Sequence, residues 1–170
     1  YARNANAMID SPSQFDFYSG GGLDIAFLGF GEIDRHGNVN VSKLGGVPVG
    51  PGGFIDIAQN AKKVVFCGTF DAKGTSLSFG EHGLRIERHG EVPKLVADVE
   101  QITFSGREAL RRGQEVIYVT ERAVFRLIDS GIALVEVAPG VDPHVDVLSR
   151  MGFQAIVPAE LALMQASHFV

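Results

Sequence analysis

Gly50-Pro51-Gly52-Gly53 stands directly before a helical apolar pattern, Phe54, Ile57, Ala58 and Ala61, and this junction is where the sequence could do chemistry. Glycines let backbone N–H groups turn outward and let a ligand approach closely. Amides at a helix start carry partial positive charge, which suits an oxyanion or a phosphate. The same residues equally suit a tight turn that enters a helix with no ligand. Nearby polar candidates are Glu32, Asp34, Asn38, Asn40, Asp56 and Glu121. Asp56, in the first turn after the glycines, is explained by the helix dipole alone. Asn38 and Asn40 flank Val39 in a predicted strand and so share a face just ahead of the loop. Two amides there either satisfy a turn or reach a ligand carbonyl.

Other chemistries lack support. No Gly-x-Ser-x-Gly elbow occurs, the glycine loop lacks the Lys-Ser/Thr tail of a nucleotide-binding loop, and Gly29-Phe30-Gly31 lacks the third glycine of a dinucleotide fingerprint. The five histidines, His36, His82, His89, His144 and His168, show no metal-ligand spacing, so no metal is expected, and His82 and His89 read as exposed loop residues. Cys67, the one cysteine, ends the apolar run Val64-Val65-Phe66 and is expected to be a small buried hydrophobe. It excludes an intramolecular disulfide and points to a reduced setting. Net charge is -5 and no Lys/Arg stripe is interleaved with aromatics, so no nucleic-acid partner is expected. No run approaches the roughly 18 apolar residues of a membrane span, and a cytoplasmic location is the default expectation. The opening Tyr1-Ala2-Arg3, without an initiator Met, suggests a piece of a longer polypeptide.

The elements that must position these residues follow from periodicity. With 170 residues, 45% of them hydrophobic, the chain can build one ordinary core or most of a larger one. Residues 10–19 read as a loop or short helix. Leu23 to Ile33 reads as a strand with Ile25, Phe27 and Leu28 toward the core, followed by the turn Asp34-Arg35-His36-Gly37 and a short strand Asn38 to Val41. The glycine loop and a helix over about 53–60 lead into Lys63-Val64-Val65-Phe66-Cys67, a run suited to a sheet covered on both faces. Residues 75–104 read as a meander of small antiparallel strands. Ser105 to Glu108 has capping-box spacing for a helix ending near Gly113. Val116–Val119, Val124–Ile128 and Ile132–Val137 are predicted strands, and Asp142-Pro143 starts a helix with Val145, Leu148 and Met151 as its core stripe. Residues 1–170 thus form one unit of α/β class, an open mixed sheet with flanking helices and a small antiparallel meander.

The order of the motifs then carries a resemblance. Gly20-Gly21-Gly22-Leu23-Asp24, Ile33-Asp34-Arg35-His36-Gly37-Asn38-Val39-Asn40, Gly50-Pro51-Gly52-Gly53-Phe54, Ala61-Lys62-Lys63-Val64-Val65, Thr120-Glu121-Arg122-Ala123-Val124-Phe125 and Val135 to Asp142 resemble the C-terminal β half of class I coenzyme A transferases. The likeness is to the fused acetate, propionate or 3-ketoacid type. It implies transfer of coenzyme A between a short-chain acyl-CoA and a free carboxylate through a glutamyl-CoA thioester, with CoA as substrate and no permanently bound cofactor. It assigns Gly52 and Gly53 to an oxyanion hole, Gly50 to shaping that turn, Asn40 to a supporting hydrogen bond, and Lys73 and Glu121 to the CoA moiety. A homo-oligomer is implied too. The family's nucleophilic glutamate stands in a Ser-Glu-Asn-Gly or Glu-Ser-Gly context upstream of the triple glycine, a context that does not occur here. None of Glu32, Glu81, Glu115, Glu121 or Glu136 takes its place, so the nucleophile is expected from preceding polypeptide or another subunit, and this chain alone is expected to be inactive. An acyl-CoA hydrolase of the same fold and a non-catalytic CoA-binding module are the alternatives.

Overall fold

Two β-rich runs separated by helix-forming sequence set the centre of the molecule, because parallel strands need covered crossovers. A computed structural model describes residues 3–169. In chain order it contains helix α1 (Ser11–Ser19), strand β1 (Ile25–Gly29), a hairpin of β2 (Glu32–Ile33) and β3 (Val39–Asn40), and a second hairpin of β4 (Lys43–Leu44) and β5 (Val47–Pro48). Helix α2 (Phe54–Gln59), β6 (Lys63–Cys67), β7 (Asp71–Ala72), a hairpin of β8 (Ser76–Gly80) and β9 (Gly83–Arg88), and β10 (Val92–Pro93) follow. Helix α3 (Gly106–Arg111) then precedes β11 (Glu115–Val119), β12 (Ala123–Ile128), β13 (Gly131–Val137) and β14 (Ala162–Leu163).

Six strands form the main sheet in the order β1-β6-β11-β12-β13-β14. Strands β1, β6 and β11 are parallel, and β12 and β13 continue as antiparallel neighbours. Register aligns Ala26, Val64 and Val116 in one row and Leu28, Phe66 and Tyr118 in another. Val64, Phe66, Val116 and Tyr118 are fully buried on that face. Phe54 of α2 stacks on Phe66 at 5.7 Å between centroids, and Phe66 stacks on Tyr118 at 5.6 Å. At its other end α2 meets the start of β11, where Gln114 Nε2 donates to the Ala58 carbonyl at 2.8 Å. Helix α2 therefore runs antiparallel to β6, and its first turn lies at the C-terminal ends of the parallel strands.

Several sequence expectations are corrected. The strand expected over Leu23 to Ile33 breaks at Phe30-Gly31 into β1 and β2, because Gly31 donates to the Asn40 carbonyl at 3.0 Å instead of continuing the ladder. Ile25 and Phe27 do not face the core: they are 42% and 66% exposed, and the small Ala26 shares the helix-covered face. Cys67 is exposed, as the last residue of β6. The 75–104 meander shrinks to the β8–β9 hairpin, and beyond β10 only isolated bridges tie Leu95 to Ile33 and Phe104 to Val39. The helix expected after Asp142-Pro143 is a π turn, Pro143–Val147, and a 3-10 turn, Leu148–Arg150. Asp142 caps it as expected, accepting from His144 and Val145 amides at 2.8 Å, but the wider turn buries Val147 and leaves Val145 exposed. The hairpin β4–β5 has no counterpart in the sequence reading.

The Asn38 side chain ties the first hairpin to α3. It donates to Asp34 Oδ2 at 3.0 Å and accepts from the Gly106 amide at 3.0 Å. Ser105 caps α3, accepting from the Glu108 amide at 3.3 Å, while the Glu108 carboxylate turns to Arg111 and Arg112, which hold it down to about 2. A Cβ on Gly106 would stand 2.1 Å from the His36 carbonyl oxygen, so backbone would have to move. Gly106→Ala is expected to cost about 1–3 kcal/mol, read as a lower urea midpoint at unchanged slope.

Candidate functional site

In sheets of this kind, ligands bind outside the C-terminal ends of the parallel strands. Here that crest consists of Phe30-Gly31 after β1, Gly68-Thr69-Phe70 after β6 and Thr120-Glu121-Arg122 after β11. Hydrogen bonds bring the glycine loop to it. Gly31 donates to the Asn40 carbonyl, Asn40 Oδ1 accepts from the Ser42 amide at 3.0 Å, and the Ser42 carbonyl accepts from Val49 and Gly50 at 2.9 and 3.1 Å.

Within the loop the amides differ. That of Gly50 is spent on Ser42, whereas those of Gly52 and Gly53 donate to no acceptor among the described residues. Gly50 and Gly52 hold φ of +81° and +53°, left-handed values that glycine tolerates, and a Cβ on either would meet nothing within 4 Å. Gly53 has an ordinary φ of -85°, but a Cβ there would come within 2.6 Å of the Phe15 ring, which rests on the loop. Among the described residues the result is two N–H groups without an acceptor, with open space at Gly52 and the Phe15 ring against Gly53. An anion placed there would gain donors that need no rearrangement. A cleft of about 710 Å³ lies apart from this loop, past Arg35, Arg107, Leu127, Asp129 and Ile156.

Asn40 is fully buried, and both halves of its amide are engaged. Nδ2 donates to Glu32 Oε2 at 2.7 Å and to the Lys43 carbonyl, and Oδ1 accepts from the Ser42 and Lys43 amides. Of the two alternatives open for this amide, satisfying a turn or reaching a ligand carbonyl, its contacts match the first: the side chain fixes the turn that carries Ser42. Asn38 points to a different set of partners, so the two amides do not converge. Lys73 is exposed on the turn after β7 at φ +59°.

Glu121 is held inside the fold. Its Oε2 accepts from the Phe70 amide at 2.8 Å and its Oε1 from Arg122 Nε at 2.7 Å. Arg122, which sequence reasoning treated only as part of a motif, is fully buried and organises the crest. Its Nη2 lies 3.4 Å from Asp71 Oδ2, Nη1 reaches His89 Nδ1 at 3.1 Å and the Asp146 carbonyl at 3.3 Å, and the guanidinium stands 4.5 Å from the Phe70 centroid. No sequence signal marks it, because Thr120-Glu121-Arg122 reads as an ordinary polar link between two apolar strands. Among the described residues no cluster of three metal-ligating side chains occurs.

His89 is half-buried instead of being an exposed loop residue. Because Nδ1 faces a guanidinium it must accept, which places the ring proton on Nε2. Burial first, then Arg150 and Arg122, hold its pKa below the usual histidine range against the opposing pull of Asp71 and Asp146. A depressed pKa means that the unfolded chain takes up the proton first, so stability is present above about 6.5 and is lost as pH falls through that value. The urea midpoint of the intact protein is expected to drop between pH 7.5 and 5.5, and less so in His89→Gln; equal slopes would contradict the assignment. Cys67 is exposed, yet partial desolvation raises its thiol pKa, which does not suit a nucleophile.

No family model matches the sequence. The acetate CoA-transferase YdiF of Escherichia coli O157:H7 is 47% identical over 167 residues, which are 98% of this chain and 32% of that protein. The caffeate CoA-transferase of Acetobacterium woodii is 46% identical over 171 residues, with the same coverage. The crystal structure of the YdiF apoenzyme superposes with a TM-score of 0.95 over 98% of this chain, and YdiF has also been solved as a thioester complex with CoA. The chain spans about a third of the length of these relatives.

Proposed function

From a chain homologous to class I CoA-transferases over 98% of its length, and fitting their C-terminal half, we propose a part of an enzyme that moves coenzyme A between a short-chain acyl-CoA and a free carboxylate. The observation that carries this reading is the 47% identity to YdiF across almost the entire chain, at a TM-score of 0.95. The open amides of Gly52 and Gly53 support it chemically.

The reaction runs in balanced steps. A glutamate carboxylate, supplied from outside this chain, attacks the thioester carbonyl and expels CoA thiolate, which leaves an acyl-glutamyl anhydride. The thiolate then attacks the glutamyl carbonyl and releases the first acid, so CoA is carried as a glutamyl thioester. A second carboxylate reverses both steps. Each addition forms a tetrahedral oxyanion, and preset N–H donors in a water-poor site lower its energy. Gly52 and Gly53 are assigned as those donors, Gly50 as the turn that aims them, and Asn40 as the brace beneath. Lys73 is assigned to the CoA phosphates, and Glu121 to the CoA side of the site through the Gly68–Asp71 loop that it anchors. The partner that completes the site is the rest of the same enzyme or a separate subunit.

Incubating the intact protein with acyl-CoA, with and without acetate, tests the proposal. Acetate-dependent appearance of acetyl-CoA is expected, and release of free CoA without acid would overturn it in favour of hydrolysis.

A further inference from the structure

One ammonium at the crest lacks a hydrogen-bond or ion-pair partner among the described residues. Lys94 is half-buried, and its Nζ lies 3.9 Å from the centroid of the Phe30 ring. Phe30 is the first residue past β1 and Gly68 the first past β6. A Cβ on Gly68 would stand 3.0 Å from Lys94 Nζ and 2.9 Å from the Phe30 ring, so only glycine leaves the two side chains where they are. The backbone of Lys94 is fixed, since its carbonyl accepts from the Ile33 amide at 2.8 Å. Yet Nζ makes no hydrogen bond and no ion pair within 4.0 Å among the described residues. By contrast Lys43, Lys62 and Lys63 each pair with a carboxylate.

Holding a partly desolvated cation without an acceptor is costly, and such a cation is expected where an anion is to be received. We propose that Lys94 binds the carboxylate of the free acid that accepts CoA, a small monoanion held on the open side of the ammonium, whose inner side is packed against the Phe30 ring and the backbone of Gly68. This rests on the transferase reading above and names the acceptor side of that same site. Burial lowers the pKa of Lys94, while Glu121 and Asp71 oppose that shift and favour the cation. The same two carboxylates repel a multiply charged phosphate more than a single carboxylate.

Lys94→Met in the intact enzyme removes the charge and keeps the length of the apolar stem, and Lys94→Arg keeps the charge. A charge-assisted hydrogen bond of ordinary strength predicts a rise of about ten- to hundredfold in KM for acetate in Lys94→Met. KM for acyl-CoA should change less than about twofold, because uniform binding of the other substrate is untouched. Lys94→Arg should recover part of the loss, and circular dichroism should show both variants folded. A titration of isotope-labelled acetate followed by NMR should show weaker acetate binding in Lys94→Met by a similar factor. A rise confined to KM for acyl-CoA would assign Lys94 to the CoA phosphates and overturn the proposal. An unchanged KM for acetate, or a fall in kcat alone, would overturn it too. Failure of the transferase reading is separately visible, as absence of CoA transfer by the wild type. In that case equal acetate binding by wild type and variant overturns the Lys94 assignment, and weaker binding by the variant supports it.

Discussion

Gly52→Val in the intact enzyme is expected to lower kcat for CoA transfer by about 10²–10³-fold, the loss that follows removal of one oxyanion donor. The substitution meets no steric obstacle, because a Cβ at residue 52 has nothing within 4 Å. Its effect comes through the backbone. At φ +53° a β-branched residue is strained, and the loop relieves the strain by rotating. Rotation carries the Gly52 and Gly53 amides away from the position where the oxyanion forms, and misplacement by about 1 Å can alone cost on the order of 10²-fold. KM should change little, since these donors act on charge that appears only in the transition state. Gly45→Val is the control. It places the same side chain at φ +59° in another open turn, so it shares the local strain without touching the loop. Comparable melting temperatures but unequal kcat values would locate the effect at residue 52. Equal kcat values would remove the glycine loop from the mechanism.

What could be read from the sequence was mostly local. Lys63-Val64-Val65-Phe66-Cys67 is a strand with the expected limits, since the unbroken β-branched and aromatic run Val64-Val65-Phe66 is too short for a helix and suits a covered strand. Ser105 caps α3 and Asp142 caps its turn because a short polar side chain two or three residues ahead of free amides bonds them regardless of context. The face of β1 was not legible. Alternation offered two faces, and the larger side chains Ile25 and Phe27 suggested the wrong one, whereas helix packing on this edge strand selected Ala26. The glycine loop could be found from composition, but its reach to the crest depends on Gly31, Asn40 and Ser42, a relay that only the folded hairpins assemble. Lys94 and Arg122 were beyond sequence reasoning for the same reason. The side-chain partners of Arg122 include His89 and Asp71, which are 33 and 51 residues away in sequence.

Arg122→Met is expected to destabilise the protein by about 3–5 kcal/mol, the usual cost of removing one partner from a buried ionic cluster. The guanidinium is fully enclosed, and Asp71 is 4% exposed. Methionine fills much of the volume, so the loss is electrostatic more than a cavity effect. Asp71 would keep only its hydrogen bond from Thr75 Oγ1 at 2.6 Å, and Glu121 only that from the Phe70 amide, each with its charge left to the longer-range pull of Lys94. Against a typical total stability of about 5–15 kcal/mol this is a large fraction, and part of the chain population should unfold near 37 °C. Arg122→Lys should rescue little, because one ammonium cannot serve Glu121, Asp71 and the Asp146 carbonyl together as the planar fork does. Adding Asp71→Asn to Arg122→Met removes one orphaned charge, and the double variant should be less unstable than the sum of the single losses, by about 0.5–3 kcal/mol of coupling. Strict additivity in urea denaturation would mean that Arg122 and Asp71 do not share one network. The consequence reaches the site, since the segment Gly68–Asp71 that this network pins also carries the bare glycine beside Lys94. A destabilised Arg122 variant that still folds should therefore bind both the acceptor acid and acyl-CoA more weakly, because the one loop serves both sides of the site.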